Sequence, residues 1–339
     1  MSSQAMSSQA MSSQGIRDQI CTQAARGKGG QGDGRPPLVS VIVPTYNRRA
    51  ALSEALASVL NQSYRRFEMI VVDDGSDDDT REFLAAHDGA PLRTMRIEHC
   101  GMPGAVRNRG AEVARGRYLA FLDSDDLWRH DKLARQTAYM RASGCRISHT
   151  RELWVRDGEV VSQRKQRHRR AGFVFHDSLR KCIIGPSTTM ITAELFHAHG
   201  GFREDLEVAE DYELWLRITA AEEVGYLSDT LTVKRGGASD QLSAKYAQIE
   251  GFRITALAQL LERRVFAGSH AGGHAGGHAG NHDDPDCSLE AAAAAEYARK
   301  CRIFAAGCRK HGRPEEAQAC ESRAIELLNR LGQVRADDR

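Results

Sequence analysis

"GRYLAFLDSDD", residues 116–126, decides the fold. The apolar run Tyr118 to Leu122 stops on acids at Asp123, Asp125 and Asp126. The run has the length and composition of a buried strand. Three carboxylates this close repel one another, so the strand must end in a solvated turn or face a cation. Alone, the triplet is weak evidence for a metal.

Working upstream, the same pattern recurs. "LVSVIV" (38–43) is β-branched and apolar, and runs into "PTYNR". "FEMIVVDD" (67–74) is a second strand, ending on Asp73 and Asp74, and "LRTMRIE" (92–98) is a third candidate. Helical spacing lies between them. "ALSEALASVLNQ" (51–62) puts Leu52, Leu56, Val59 and Leu60 on one side. "TREFLAAH", "GAVRNRGAEVA" and "HDKLARQTAYMRAS" are further helices. Strand and helix alternating over short links predict an α/β fold, a mainly parallel sheet with helices on both faces. Ligands of such sheets bind outside the carboxyl ends of the strands. The acids of "VVDD" and "FLDSDD" should therefore open into one crevice.

Beyond residue 150 the pattern loosens. "RELWVRDGEVVSQ" predicts a hairpin turning at Asp157-Gly158. "STTMIT" (187–192) reads as a strand, and "VGYLSDTLTVKR" (224–235) as a strand pair. "LEVAEDYELWLRITAA" (206–221) is an amphipathic helix with Trp215 on its apolar side. The expected organisation is a disordered repeat and linker over 1–37, a sheet domain over 38–240 and a helical extension over 241–266. A His/Gly-rich loop over 267–287 and a helical hairpin over 288–331 follow. In the hairpin Gly312 should cap one helix and Pro314 start the next. A single hairpin cannot bury its own face, so it should pack on the sheet domain or on a second subunit, which leaves a homodimer open.

Composition excludes several classes. Hydrophobic residues make up 41% and charged residues 27%, ordinary for a soluble globular protein. A net charge of +2 supplies no field for nucleic acid. The eight cysteines form no CxxC pair, and no apolar run approaches the ~18 residues of a membrane span. Reduced thiols and a cytoplasmic location are expected. The basic segment "RKQRHRR" (164–170) reads as a solvated loop, with contact to an anionic membrane surface as the second reading. It lacks aromatic interleaving, which speaks against nucleic acid. His270, His274, His278 and His282 recur every four residues, but the tract is too Gly-rich for a helix to line them up.

The motifs are read as follows. "VPTYNR" carries no glycine fingerprint, which argues against a dinucleotide enzyme. An ordinary loop with Asn47 as helix N-cap would explain it. Asp73 and Asp74 could accept from an imide N–H or a ribose hydroxyl. Asp123 and Asp125 alternate, so both can aim at one pocket holding Mg2+ or Mn2+ with a substrate diphosphate, while Asp126 braces the loop. Glu210 and Asp211 alone would read as first-turn acids complementing a helix dipole.

Taken together, "VSVIVPTYNR", "IVVDDGSDDDT", "AVRNRG", "GRYLAFLDSDD" and "EDYELWLR" occur in the order and spacing of family 2 glycosyltransferases. The resemblance covers roughly residues 38–235. It implies a GT-A nucleotide-sugar-binding fold, a metal-dependent reaction and inversion at the anomeric carbon. Carried over residue by residue, it implies that Thr45 and Tyr46 line the base and ribose pocket and that Asp74 binds the base. Arg107 would lie near the diphosphate, Asp123 would hold the ribose and Asp125 would ligate the metal. Asp211 would be the general base. The implied partners are a nucleotide-sugar donor and a glycan or lipid-linked acceptor, with peripheral membrane contact left open. One departure stands out: relatives often carry a His late in the domain, and "TVKRGGASDQLS" (232–243) has none. Lys234, Arg235, Ser239 and Asp240 are the candidates to replace it. The competing reading is a catalytically silent relative that binds nucleotide or glycan and docks partners through its helical tail.

Overall fold

The computed structural model describes residues 37–162, 170–237, 249–267 and 288–337. The N-terminal repeat, nearly all of the basic 164–170 segment, Ser239, Asp240 and the His tract lie outside the described residues. The chain divides into two units, each assembled from three stretches. The first comprises Met1–Arg170, Gly185–Gly201 and Val224–Gly237; the second comprises Ala171–Ile184, Phe202–Glu223 and Ala238–Arg339.

The first unit is built on a sheet. Its strands are β1 (Val39–Thr45), β2 (Phe67–Asp73), β3 (Leu92–Arg96), β4 (Tyr118–Phe121), β5 (Leu127–Trp128), β6 (Ile147–Arg156), β7 (Glu159–Val160), β8 (Met190–Thr192) and β9 (Val224–Gly236). They order as β3-β2-β1-β4-β8-β6-β9-β5, with β7 paired to β6. β3, β2, β1 and β4 are mutually parallel. Every residue of β2 and β4 is buried, as expected where helices cover both faces. Those helices are α1 (Arg49–Leu60), α2 (Thr80–Ala85), α3 (Pro103–Glu112) and α4 (Lys132–Ser143). Val41, Val43, Leu56, Val59, Val71 and Leu133 share one core.

The other half of the sheet is mixed. β8 runs antiparallel to both β4 and β6, and β9 runs parallel to β6. The hairpin forms where expected, with Asp157 at φ 51° and Gly158 at φ 81°, as a tight primed turn requires. The expected strand pair over 224–235 is instead one thirteen-residue strand, β9. Its register against β6 slips around Thr150 to Glu152, so a bulge stands where the pair would have been broken. "STTMIT" also splits. Pro186–Thr188 is a 3-10 turn closed by Thr189 N–H on Pro186 O at 2.9 Å, and only Met190–Thr192 joins the sheet. A short helix, α5 (Phe175–Arg180), precedes this turn in the chain and belongs to the second unit; α6 (Ala193–Ala198) follows it in the first.

At the amino ends of β1 and β2 a buried polar knot ties the strands. Ser40 Oγ donates to Glu68 Oε1 at 2.7 Å and accepts Gly116 N–H at 2.8 Å. Arg115 donates to Glu68 from its main chain and twice from its guanidinium. A Cβ on Gly116 would lie 2.6 Å from Ser40 N, so this approach of backbone to backbone requires glycine.

The second unit is helical: α5 with α7 (Glu210–Thr219), α8 (Ile249–Glu262), α9 (Leu289–Lys310) and α10 (Pro314–Asp337). Phe175, Leu216, Leu257, Phe266, Tyr297 and Leu327 share one core. Here the hairpin of α9 and α10 buries its apolar face against α5, α7 and α8. Tyr212 donates to Leu179 O at 2.7 Å, and buried Lys300 donates to Arg180 O at 3.1 Å and to Glu250. Trp215 is core, edge-on to Phe202 at 5.9 Å. The turn between α9 and α10 is as expected. Gly312 at φ 73° lets Arg313 N–H reach Cys308 O at 2.8 Å and its own N–H reach Arg309 O at 3.2 Å, and Pro314 opens α10.

Candidate active site

The parallel register brings the carboxyl ends of β1, β2 and β4 to one edge. Thr45 O accepts Asp74 N–H at 2.9 Å, which fixes the two loops side by side. Tyr46 leaves the sheet 39% exposed, its ring stacked on His99 at 4.1 Å and 18°. Asp74 is buried. Its carboxylate accepts Cys100 N–H at 2.9 Å and Gly101 N–H at 3.0 Å, and His99 Nδ1 lies 3.0 Å away. A Cβ at Gly75 would meet His99 N at 2.9 Å, so the glycine lets the 99–101 loop close on Asp74.

Two expectations need revising here. Asn47 is not a helix N-cap: at φ 49° its side chain accepts Asp77 N–H at 2.9 Å and donates to Asp77 Oδ1 at 2.6 Å. It ties the loop after β1 to the loop after β2, and Arg48 stands at the start of α1 instead. Asp73 braces its own loop, accepting Ser76 N–H at 3.0 Å and Arg96 Nη1 at 3.0 Å.

At the end of β4 the acids separate by partner. Asp123 Oδ1 takes Arg107 Nη2 at 2.7 Å, and its N–H donates to Ser187 Oγ at 3.1 Å. Asp125 Oδ2 takes Arg48 Nη1 at 2.7 Å, with both side chains 20% exposed. Asp126 is buried and does brace the loop: its Oδ1 accepts Arg235 N–H at 3.1 Å, and Lys234 Nζ lies 3.8 Å from its Oδ2. Arg235 also reaches Asp125 O and Glu54. Charge decides protonation. Burial pushes Asp123 up, but Arg107 and Lys234 outweigh it and hold the carboxyl below the usual range. Asp126 goes the other way, to about 7, because burial, with Asp123 and Asp125 beside it, overcomes Lys234. Lys234 is held above the ordinary lysine range: burial alone would lower it, but Asp126, Asp123 and Glu152 prevail.

Among the described residues no three His, Cys, Asp or Glu side chains gather as a metal cage. The donor set is hard oxygen at the partly exposed carboxylate of Asp125, with Asp123 two residues away. That set fits a cation held by one or two carboxylates and completed by substrate phosphates, the usual habit of Mg2+.

Asp211 lies in the helical unit, the second residue of α7, after Ala209 at φ 68°. Its Oδ2 accepts from Cys182 Sγ at 3.3 Å. Burial first, then the Asp211 charge, keeps that thiol protonated and therefore a donor. Neighbouring Glu213 is fully buried and gripped by Arg217 at 2.7 Å, so the two acids have different duties. Sequence reasoning missed Arg48, His99, Ser187 and Cys182. Of these only His99 carried a signal, in the turn "EHCG" just ahead of Pro103.

The family model for Glycosyl transferase family 2 matches residues 40–196. The glucosyltransferase WfgD of Escherichia coli is 30% identical over 181 residues, 53% of this chain and 69% of that protein. The chain belongs to glycosyltransferase family 2. TuaG of Bacillus subtilis, named for teichuronic acid biosynthesis, is 40% identical over 47% of this chain and 63% of its own length. A Rickettsia felis glycosyltransferase is 34% identical, and there the chain spans 33% of the relative. Among solved structures, Staphylococcus aureus TarS 1–349 in complex with UDP-GlcNAc superposes with a TM-score of 0.64 at 21% identity, covering 86% of this chain and 80% of that one. The mannosyltransferase PcManGT of Pyrobaculum calidifontis, solved with GDP-Man and Mn2+, gives 0.52 at 18% identity, covering 94% and 95%. At these identities the likeness is one of fold, the GT-A fold of the family. Among the described residues no helix is long and apolar enough to cross a membrane.

Proposed function

We propose that the chain moves a sugar from a nucleoside-diphosphate donor, a UDP-sugar first, to an acceptor hydroxyl with inversion, in the synthesis of a surface polysaccharide or glycolipid. One observation carries the reading. At the edge where β1, β2 and β4 end, Asp123 and Asp125 each hold an arginine at 2.7 Å. A diphosphate arriving there finds cations already in position, which costs no reorganisation. The relatives' names point the same way: WfgD is named for transfer from UDP-Glc to a GlcNAc-diphosphoundecaprenol, and TuaG for teichuronic acid biosynthesis. A lipid-linked acceptor would bring the chain to a membrane surface.

The residues divide the work. Thr45 and the Tyr46 ring line the base pocket. Asp74 Oδ2 is taken by Gly101 N–H with His99 Nδ1 at 3.0 Å, and Oδ1, which takes Cys100 N–H, is the oxygen that would accept a base N–H. Asp123, kept ionised, accepts from the ribose. A bound Mg2+ or Mn2+ would neutralise charge on the diphosphate, held by Asp125 and the donor's own oxygens. Arg107, Arg48 and Lys234 stabilise the leaving group. Asp211 takes the acceptor's proton as its oxygen bonds to C1 from the face opposite the diphosphate, and the C1–O bond to the diphosphate breaks.

The test is a thermal-shift panel of nucleotides and nucleotide-sugars, with and without Mn2+, on wild type and Asp125→Ala. A Mn2+-dependent shift with one nucleotide family, absent in the variant, supports the donor site. No shift with any donor sinks the reading. Asp211→Asn should keep donor binding and lose turnover about 100-fold or more, the scale of a missing general base.

A further inference from the structure

The sheet unit has a second polar concavity, at the opposite edge from the acids. A cavity of about 490 Å³ opens at the amino end of β4. That volume is within the range of small-ligand sites. By strand rise it lies roughly 17 Å from Asp123, five residues along β4. Arg117 just before β4, Arg141 in α4 and Arg146 just before β6 line it, with one acid, Glu194. The lining carries three guanidinium groups to one carboxylate.

Its walls are tied. Thr192 N–H donates to Arg146 O at 2.8 Å and Ala193 N–H to Arg117 O at 2.9 Å, so the main chain is tied at two of the three arginines. The Arg117 guanidinium sits 5.6 Å over the ring of Tyr118, which is buried in the floor with Met140. The third, Arg141, stands in the last turn of α4, whose carbonyl end favours cations. Glu194 only weakly offsets the charge: its oxygen is 3.6 Å from Arg146, and its side chain is 85% exposed to solvent. None of the glycosyl-transfer roles uses any of these residues.

We propose that this cavity is a second ligand site, for a phosphate ester or diphosphate. Several guanidinium groups lining one cavity suit a phosphate oxyanion. Guanidinium forks suit phosphate oxygens better than point-charge ammonium groups do. The volume exceeds a bare phosphate and leaves room for the rest of an ester. The phosphate could be that of a soluble metabolite or of a lipid headgroup.

The probe is labelled pyrophosphate in equilibrium dialysis, in EDTA so that metal-assisted donor binding is silent. The variants are Arg141→Gln with Arg146→Gln, and a control of equal charge change, Arg93→Gln with Arg109→Gln, at two exposed arginines of the same unit. Wild type and control should bind alike, and the cavity variant should lose at least tenfold in affinity. A second arm sediments the three proteins with phosphatidylglycerol vesicles against phosphatidylcholine vesicles. Cavity-specific loss with pyrophosphate alone assigns a soluble phosphate; cavity-specific loss with phosphatidylglycerol assigns a headgroup. Equal behaviour of cavity variant and control in both arms overturns the proposal. The arms read binding only, so they stand or fall apart from the transferase reading.

Discussion

Asp126 is buried with two like charges beside it, and its carboxyl stays protonated up to about 7. In the unfolded chain the same group releases its proton near ~4. Between those values the folded chain binds the extra proton. Its contribution to stability is therefore complete at low pH and is lost as pH rises through about 7. Asp126→Asn removes that slope while an amide oxygen still accepts Arg235 N–H. Urea midpoints measured from about pH 5 to 8 should fall less steeply in the variant than in wild type; parallel profiles would mean that Asp126 ionises normally. At this scale the sequence was partly legible. Asp74, Asp123 and Asp125 stand at strand ends, and strand ends can be read. Their partners cannot be read that way. Arg48 is 77 residues from Asp125, and the Arg235 N–H is 109 from Asp126. A charge pair across a fold leaves no spacing in the chain. Cys182 was invisible as the donor to Asp211 for the same reason.

Elements were legible in proportion to their burial. β1, β2 and β4 are buried almost throughout and read as largely apolar runs. β9 mixes buried with half-exposed stretches and carries a bulge, so it read as a strand pair. The turn before β4 is a case where one residue governs two strands. At Gly116 an added methyl meets Ser40 N at 2.6 Å and Tyr118 O at 2.9 Å, both main chain, so neither can rotate away. Gly116→Ala should cost about 1–3 kcal/mol, the usual range for overpacking. It should also loosen the Ser40, Glu68 and Arg115 knot. Chemical denaturation would measure the loss. A variant as stable as wild type would mean that the turn yields more easily than its contacts suggest.

At the scale of the whole molecule, the mixed half of the sheet and the division into two units were the least legible. The helices α5 and α7 lie far in sequence from α9 and α10 yet share their core. No local pattern announces such a partnership, because an amphipathic face does not specify what covers it. A chain ended at residue 267 would strip α9 and α10 from that core and expose the apolar sides of α5, α7 and α8. Limited proteolysis should then cut within 202–223, where the full chain resists; equal resistance would show that these helices hold without the hairpin. The interleaving of the units also bears on inheritance. Each unit is stitched from three separate stretches of chain. No single crossover could carry either one intact into another gene. Replacing the helical unit by recombination therefore takes several exchanges at once, whereas a tail is gained by one fusion.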